Sequence, residues 1–182
     1  MQIRTFSRPT HRLVRLIPLL LALGFGAARA AEFETAQKQW LAGQRTQAVA
    51  TIEQGLVKMP DDLKLRFALG VMKMEMGQPQ AAQTIFTALT QDFPDLADPY
   101  NNLAVIQASQ GELDQARAAL EQAVRLQPDH PQALENLGDV LLQLALRAYQ
   151  RAQTALAVPS EPLALKLGRT QQLLQTLTPA KP

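Results

Sequence analysis

Three residue types recur along this chain at one fixed interval. Gly43, Gly77 and Gly111 stand 34 residues apart. So do Ala48, Ala82 and Ala116, and so do Pro60, Pro94 and Pro128. No insertion disturbs the frame across the 86 residues from Gly43 to Pro128. A repeat this short cannot build a core of its own, so successive units must stack and share one.

The residues between the marks say what each unit is. In the third unit Leu103, Ala104 and Ile106 fall at helical spacing, followed by Gly111. Glycine there permits the positive φ that ends a helix. Ala116, Ala119, Leu120, Ala123 and Leu126 then mark a second helix. Its alanines allow close approach to the first helix, and Pro128 halts it. Pro99 suits the first turn of the helix before it. Each unit therefore reads as a helical hairpin.

These residues resemble the tetratricopeptide repeat. Leu103, Ala104, Gly111, Ala116, Leu120, Ala123 and Pro128 carry the pattern in the third unit. Leu69, Gly70, Gly77, Ala82, Phe86 and Pro94 carry it in the second, and Gly43, Ala48, Ile52, Gly55 and Pro60 in the first. The first unit has Thr35-Ala36 where leucine and glycine are usual. The resemblance implies an all-α fold, a right-handed superhelix of three to four hairpins. The units fall at about 31–62, 63–96, 97–130 and 131–158.

The fourth unit departs from the pattern. It opens with Leu134, Leu137, Gly138 and Leu141, but Ala145 stands where glycine is expected. No Gly or Pro occurs between Asp139 and Val158, which favours one long merged helix over a hairpin closed by the "AYQRA" segment at Ala148–Ala152. After Pro159, Ser160 can cap a last helix. Leu163, Leu167, Thr170, Leu174 and Leu177 give it a seam that would cover the open end of the stack over 159–178. Residues 179–182 read as a tail.

The start of the chain reads as a cleavable signal peptide, residues 1–30. Four arginines (4, 8, 12 and 15) precede the apolar run "LIPLLLALGFG", and Ala28-Arg29-Ala30 supplies the small-x-small cleavage pattern. Cleavage after Ala30 is the first choice, after Ala28 the second. The apolar run is shorter than the ~20 residues a span needs, so no membrane span is expected after cleavage. The full chain has 18 basic and 16 acidic side chains. Residues 1–30 hold five arginines and no acid, which leaves 13 against 16, a net of −3. Nothing basic remains to attract nucleic acid. The expected destination is the periplasm.

No catalytic constellation assembles. The chain has no cysteine and two histidines. His11 lies in the leader, and His130, in "QPDHP", reads as a solvated turn residue. Nucleophile–histidine pairs and metal sets are therefore not expected, nor is a cofactor. The acids at turns and helix starts suit capping and the helix dipole.

The expectation is a binding protein, a scaffold or adaptor for an extended peptide segment of a cell-envelope protein. The alternatives are a self-associating structural protein, hence a homo-oligomer, or an accessory subunit of an envelope enzyme. The resemblance implies that first helices line the groove. That places Phe33, Gln37 and Trp40 there in the first unit, and Phe67, Val71 and Met74 in the second. It places Asn101, Asn102, Val105 and Ala108 in the third, and Glu135, Asn136, Asp139 and Leu142 in the fourth. Phe33, Gln37, Asn102 and Ser109 stand where some relatives carry a basic clamp for a C-terminal carboxylate. Asn102 and Asn136 share one position in successive units and should form a two-rung ladder for a peptide backbone. Asn101 has Glu135 as its counterpart and is the candidate for sequence-specific contact. Two amides contribute at most about 1–6 kcal/mol. Micromolar affinity needs about 8 kcal/mol, so apolar contacts such as Phe67 and Met74 should supply an anchor toward the N-terminal half.

Overall fold

The computed structural model describes residues 31–177; the leader and the tail from 178 onward lie outside the described residues. The described residues form eight helices and no strand. The chain divides into two compact units, Met1–Pro60 and Asp61–Pro182. The first unit is a hairpin of α1 (31–41) and α2 (Arg45–Lys58). Its buried residues include Ala36, Ala48, Val49 and Ile52. Lys58 pairs with Glu32 at 2.6 Å and ties the two ends of the hairpin together.

The second unit holds α3 (Leu63–Glu75), α4 (Pro79–Asp92), α5 (Ala97–Ser109), α6 (Leu113–Leu126), α7 (Pro131–Ala155) and α8 (Glu161–Leu177). Helices α3 and α4 pair, as do α5 and α6, and each pair packs on its neighbour. One core cluster joins Ala82, Phe86 and Leu89 of α4 to Leu103 and Ile106 of α5. A second joins Ala104 of α5 to Ala116, Leu120 and Ala123 of α6 and to Ala133 and Val140 of α7. The single stripe expected on α5 is thus divided, with Leu103 and Ile106 facing back and Ala104 facing forward.

The turn glycines close each hairpin in one way. Gly43, Gly77 and Gly111 have φ of 77°, 70° and 81°. After each, the next amide bonds back five residues, as in Glu112 N–H to the Gln107 carbonyl at 2.9 Å. This left-handed closure satisfies the last carbonyls of the first helix, and a side chain there is strained. At Ala145 no such closure occurs, and α7 runs unbroken for 25 residues. The fourth unit is therefore one long helix.

Gly70 has a different task. A Cβ built there would lie 2.8 Å from Cζ of Phe86. The ring fills the space that a side chain would need, so α3 and α4 meet at glycine against phenylalanine. Gly138 holds the same register position in α7, yet a Cβ there would meet nothing within 4 Å. The long helix has no second helix folded onto that face.

Helix α8 packs on α7. It buries Thr170, half-buries Leu163, Leu167 and Leu174, and turns Leu165 and Leu173 outward. The covered edge follows the seam read from the sequence from Leu163 to Leu174, at spacings of four and three; the Leu177 side chain lies outside what is described.

These contacts give opposite expectations for two glycines. Gly70→Ala should destabilise the fold by about 1–3 kcal/mol through overpacking against Phe86. Gly138→Ala should be neutral or stabilise by roughly 0.5–1 kcal/mol, because alanine is the better helix former. Denaturant midpoints of the two variants check this, and equal losses would contradict it.

Candidate partner-binding groove

The first turns of α5 and α7 lie side by side, and a polar seam joins them. His130 caps α7: its Nδ1 accepts the Ala133 amide at 3.3 Å. With Nδ1 accepting, the ring proton sits on Nε2, which donates to Oδ1 of Asp98 at 2.9 Å. His130 is only 6% exposed. The solvated-turn reading is thus corrected, because the histidine replaces the usual short capping side chain and spans to the neighbouring helix. No group of three or more His, Cys, Asp or Glu side chains capable of holding a metal occurs among the described residues.

The asparagines belong to the same seam. Asn136 donates its Nδ2 to Oδ1 of Asn101 at 2.9 Å. Asn101 is 8% exposed. Asn102 is half-buried and donates instead to the Asp98 carbonyl, one turn back in its own helix, at 2.9 Å. Each amide of the expected Asn102 and Asn136 ladder thus has its Nδ2 engaged within the protein. The observed partners are Asn101 and Asn136, 35 positions apart. The pair is offset by one residue from the repeat interval. Asn101, the residue expected to contact a ligand by sequence, spends its carboxamide oxygen inside the protein.

A small cavity of about 140 Å³ opens beyond this seam, between α5 and α7. Ala104, Val105, Ala108 and Leu120 line one side, and Asn136, Asp139, Val140 and Gln143 the other. Val105 is 37% exposed at its rim. Asp139 and Gln143 also line a larger hollow of about 650 Å³, with Leu113, Leu146, Arg147, Gln150, Leu174 and Gln175. The two spaces share a wall and lie in succession along α7. Arg147 bonds Asp114 at 2.6 Å, which fixes one edge to the start of α6. The hollow has the size of a ligand pocket, with apolar leucines beside carboxamides that can both donate and accept.

Of the residues expected to bind, Val105, Asn136 and Asp139 come together here, with Asn101 directly behind Asn136. Glu135 is exposed on the first turns of α7. Phe67, Val71 and Met74 lie elsewhere, half-buried against the cluster of Phe86, Leu103 and Ile106. Phe67 meets Phe86 edge-to-face, with ring centroids 5.6 Å apart. These three side chains thus serve the core in part. In the first unit, Trp40 lies 5.0 Å from the Arg45 guanidinium, in cation–π geometry.

Sequence reasoning missed Gln143, Leu146, Arg147 and Gln150. The signal was present, since positions 139, 143, 146 and 150 continue one helical stripe. The groove positions that the resemblance implies end at Leu142, whereas α7 runs on to Ala155.

The cap at His130 is open to test. His130→Ala should lose about 0.5–2 kcal/mol of stability, whereas His130→Asn should retain most of the cap. Unfolding midpoints decide, and equal losses in both would remove the capping role.

Comparison with known proteins follows the geometry. The family model described as tetratricopeptide repeat matches residues 73–137. Among solved structures, the second repeat domain of human RPAP3, in complex with an HSP70 peptide, superposes with a TM-score of 0.58 at 14% identity. That match covers 64% of this chain and 97% of the other. MamA from Desulfovibrio magneticus RS-1 gives a TM-score of 0.58 at 15% identity, over 84% of this chain and 78% of that one. The Yersinia enterocolitica secretion chaperone SycD, in complex with a peptide of the translocator YopD, gives 0.58 at 19% identity. It covers 63% of this chain and 92% of its own. At these identities the likeness is one of fold. A search of curated proteins gave no match. Residues 73–137 thus carry tetratricopeptide repeats, set within the unbroken 34-residue frame and the all-α fold.

Proposed function

We propose that this protein is a protein–protein interaction module that binds an extended peptide segment of a partner in the groove along α7. One observation carries the reading: the cavity at Val105 and Ala108 and the hollow at Leu146 and Leu174 adjoin along α7, with Asp139 and Gln143 lining both. An extended segment needs such a linear site. Carboxamides at Gln143 and Gln150 suit its backbone, and Leu113, Leu146 and Leu174 suit one apolar side chain. The apolar anchor then sits at the C-terminal end of the stack, since Phe67, Val71 and Met74 are half-committed to the core. Peptides named in the complexes of the two structural relatives, RPAP3 and SycD, support a peptide as the ligand class.

The place of action in this reading is the periplasm, and the partner an envelope protein. Five arginines, the short apolar run and Ala28-Arg29-Ala30 support export and cleavage. The lack of cysteine suits a protein held by helix packing alone. No helix of the described residues is long and apolar enough to cross a membrane. The role is binding rather than catalysis, because the groove brings together no nucleophile with a base.

The probe is a tiled panel of short peptides from envelope proteins of the same cells. Peptides that bind the purified chain should bind Val105→Arg at least tenfold more weakly, a loss of about 1.4 kcal/mol. Arg117→Ala, on the exposed side of α6, should leave them unchanged. Equal binding by both variants would displace the site. The exported form should begin at Ala31 on N-terminal sequencing, and an intact leader in the osmotic-shock fraction would contradict cleavage.

A further inference from the structure

The hairpin-closing face of α7 is bare. Gly70 lies beneath Phe86, and Ala104 packs with Ala116, Leu120 and Ala123. Gly138 continues that series in α7 and has no side-chain neighbour within 4 Å of its Cβ position. Leu134 and Leu141 flank it, each 45% exposed. Leucines left half in water on a helix face that is covered in the two preceding hairpins mark a missing partner. Helix α8 does not supply it, because Leu174 lines the hollow with Asp139 and Gln143 on the other side of α7.

The same helix carries the element that its own face lacks. In the described hairpins the second helix presents a small residue, a large one four later, and another contact three beyond. These are Ala48, Ile52 and Gly55; Ala82, Phe86 and Leu89; and Ala116, Leu120 and Ala123. Helix α7 presents Ala145, Tyr149 and Ala152 at those intervals. Without the turn glycine this half cannot fold back. Gly138 and Tyr149 stay about 16 Å apart along a straight helix at 1.5 Å per residue.

We propose that the cover is the far half of α7 from a second copy of the chain. Positions 134, 138, 141, 145, 148 and 152 alternate by four and three, so they form one continuous seam on the helix. Two such helices, antiparallel about a two-fold axis level with residue 143, set Leu134, Gly138 and Leu141 of each copy on Ala152, Ala148 and Ala145 of the other, respectively. Leu134 and Leu141 meet alanines in both directions, Tyr149 lies one residue beyond the Ala148 that faces Gly138, and the contact is isologous and closed. Each copy thereby completes the other's fourth hairpin. At 100° per residue this seam faces away from Asp139 and Gln143, so pairing leaves the groove open. The inference stands apart from the peptide reading and survives if that reading fails.

The chain has no cysteine, which makes single-cysteine cross-linking clean. The purified chain should sediment at twice the mass of a single copy. Ala145→Cys should cross-link to itself under mild oxidant, while Leu173→Cys on the exposed side of α8 should not. Leu141→Glu should halve the mass with helical circular dichroism retained. A monomer at every concentration would overturn the proposal. So would a dimer that persists in Leu141→Glu, or one that cross-links through Leu173→Cys and not Ala145→Cys. Should Leu141→Glu unfold, the cross-linking pair alone decides.

Discussion

The hairpins of this chain rest on two helix backbones approaching at small residues. Gly70 under the Phe86 ring shows the limit, with no room for one more carbon. Ala104 among Ala116, Leu120 and Ala123 shows the milder form. Close approach converts short helices of 13 or 14 residues into stable pairs, since isolated helices of that length are marginal in water. The positive-φ glycines then set the angle at which each pair closes. Where that glycine is missing, at Ala145, the second helix cannot return and the repeat stops.

The end of the repeat is also where the candidate groove lies. Because α7 continues to Ala155, its surface extends beyond the neighbouring hairpins and meets α8. That meeting walls the hollow at Leu146 and Leu174. The polar seam of Asp98, Asn101, His130 and Asn136 holds the start of α7 against α5, so the groove wall is fixed before any partner arrives. Buried polar contacts of this kind are costly when unpaired and add specificity when complete. They set how one hairpin sits on the next.

The sequence made the hairpins legible because glycine, alanine and proline act through backbone geometry, which one chain states openly. The long fourth helix was legible for the same reason, from missing breakers. What stayed hidden were contacts between units. Asn102 and Asn136 share a register position, yet the hydrogen bond joins Asn101 to Asn136. Register gives equivalent places, while contact across units depends on how adjacent helices cross. His130 was hidden likewise, since its partner Asp98 lies 32 positions away. The apolar side chains of α3 could face a groove or the core on periodicity alone, and the Phe86 ring decides in part for the core.

Asn101 and Asn136 bind the fourth unit to the third through one hydrogen bond. A double-mutant cycle of Asn101→Ala and Asn136→Ala, read from unfolding free energies, tests it most directly. The two losses should fall short of adding in the double variant, with a coupling of about 0.5–1.5 kcal/mol, the net value of one buried hydrogen bond. Strictly additive losses, with no coupling, would mean that the two side chains act alone, and the seam would lose its place in the fold.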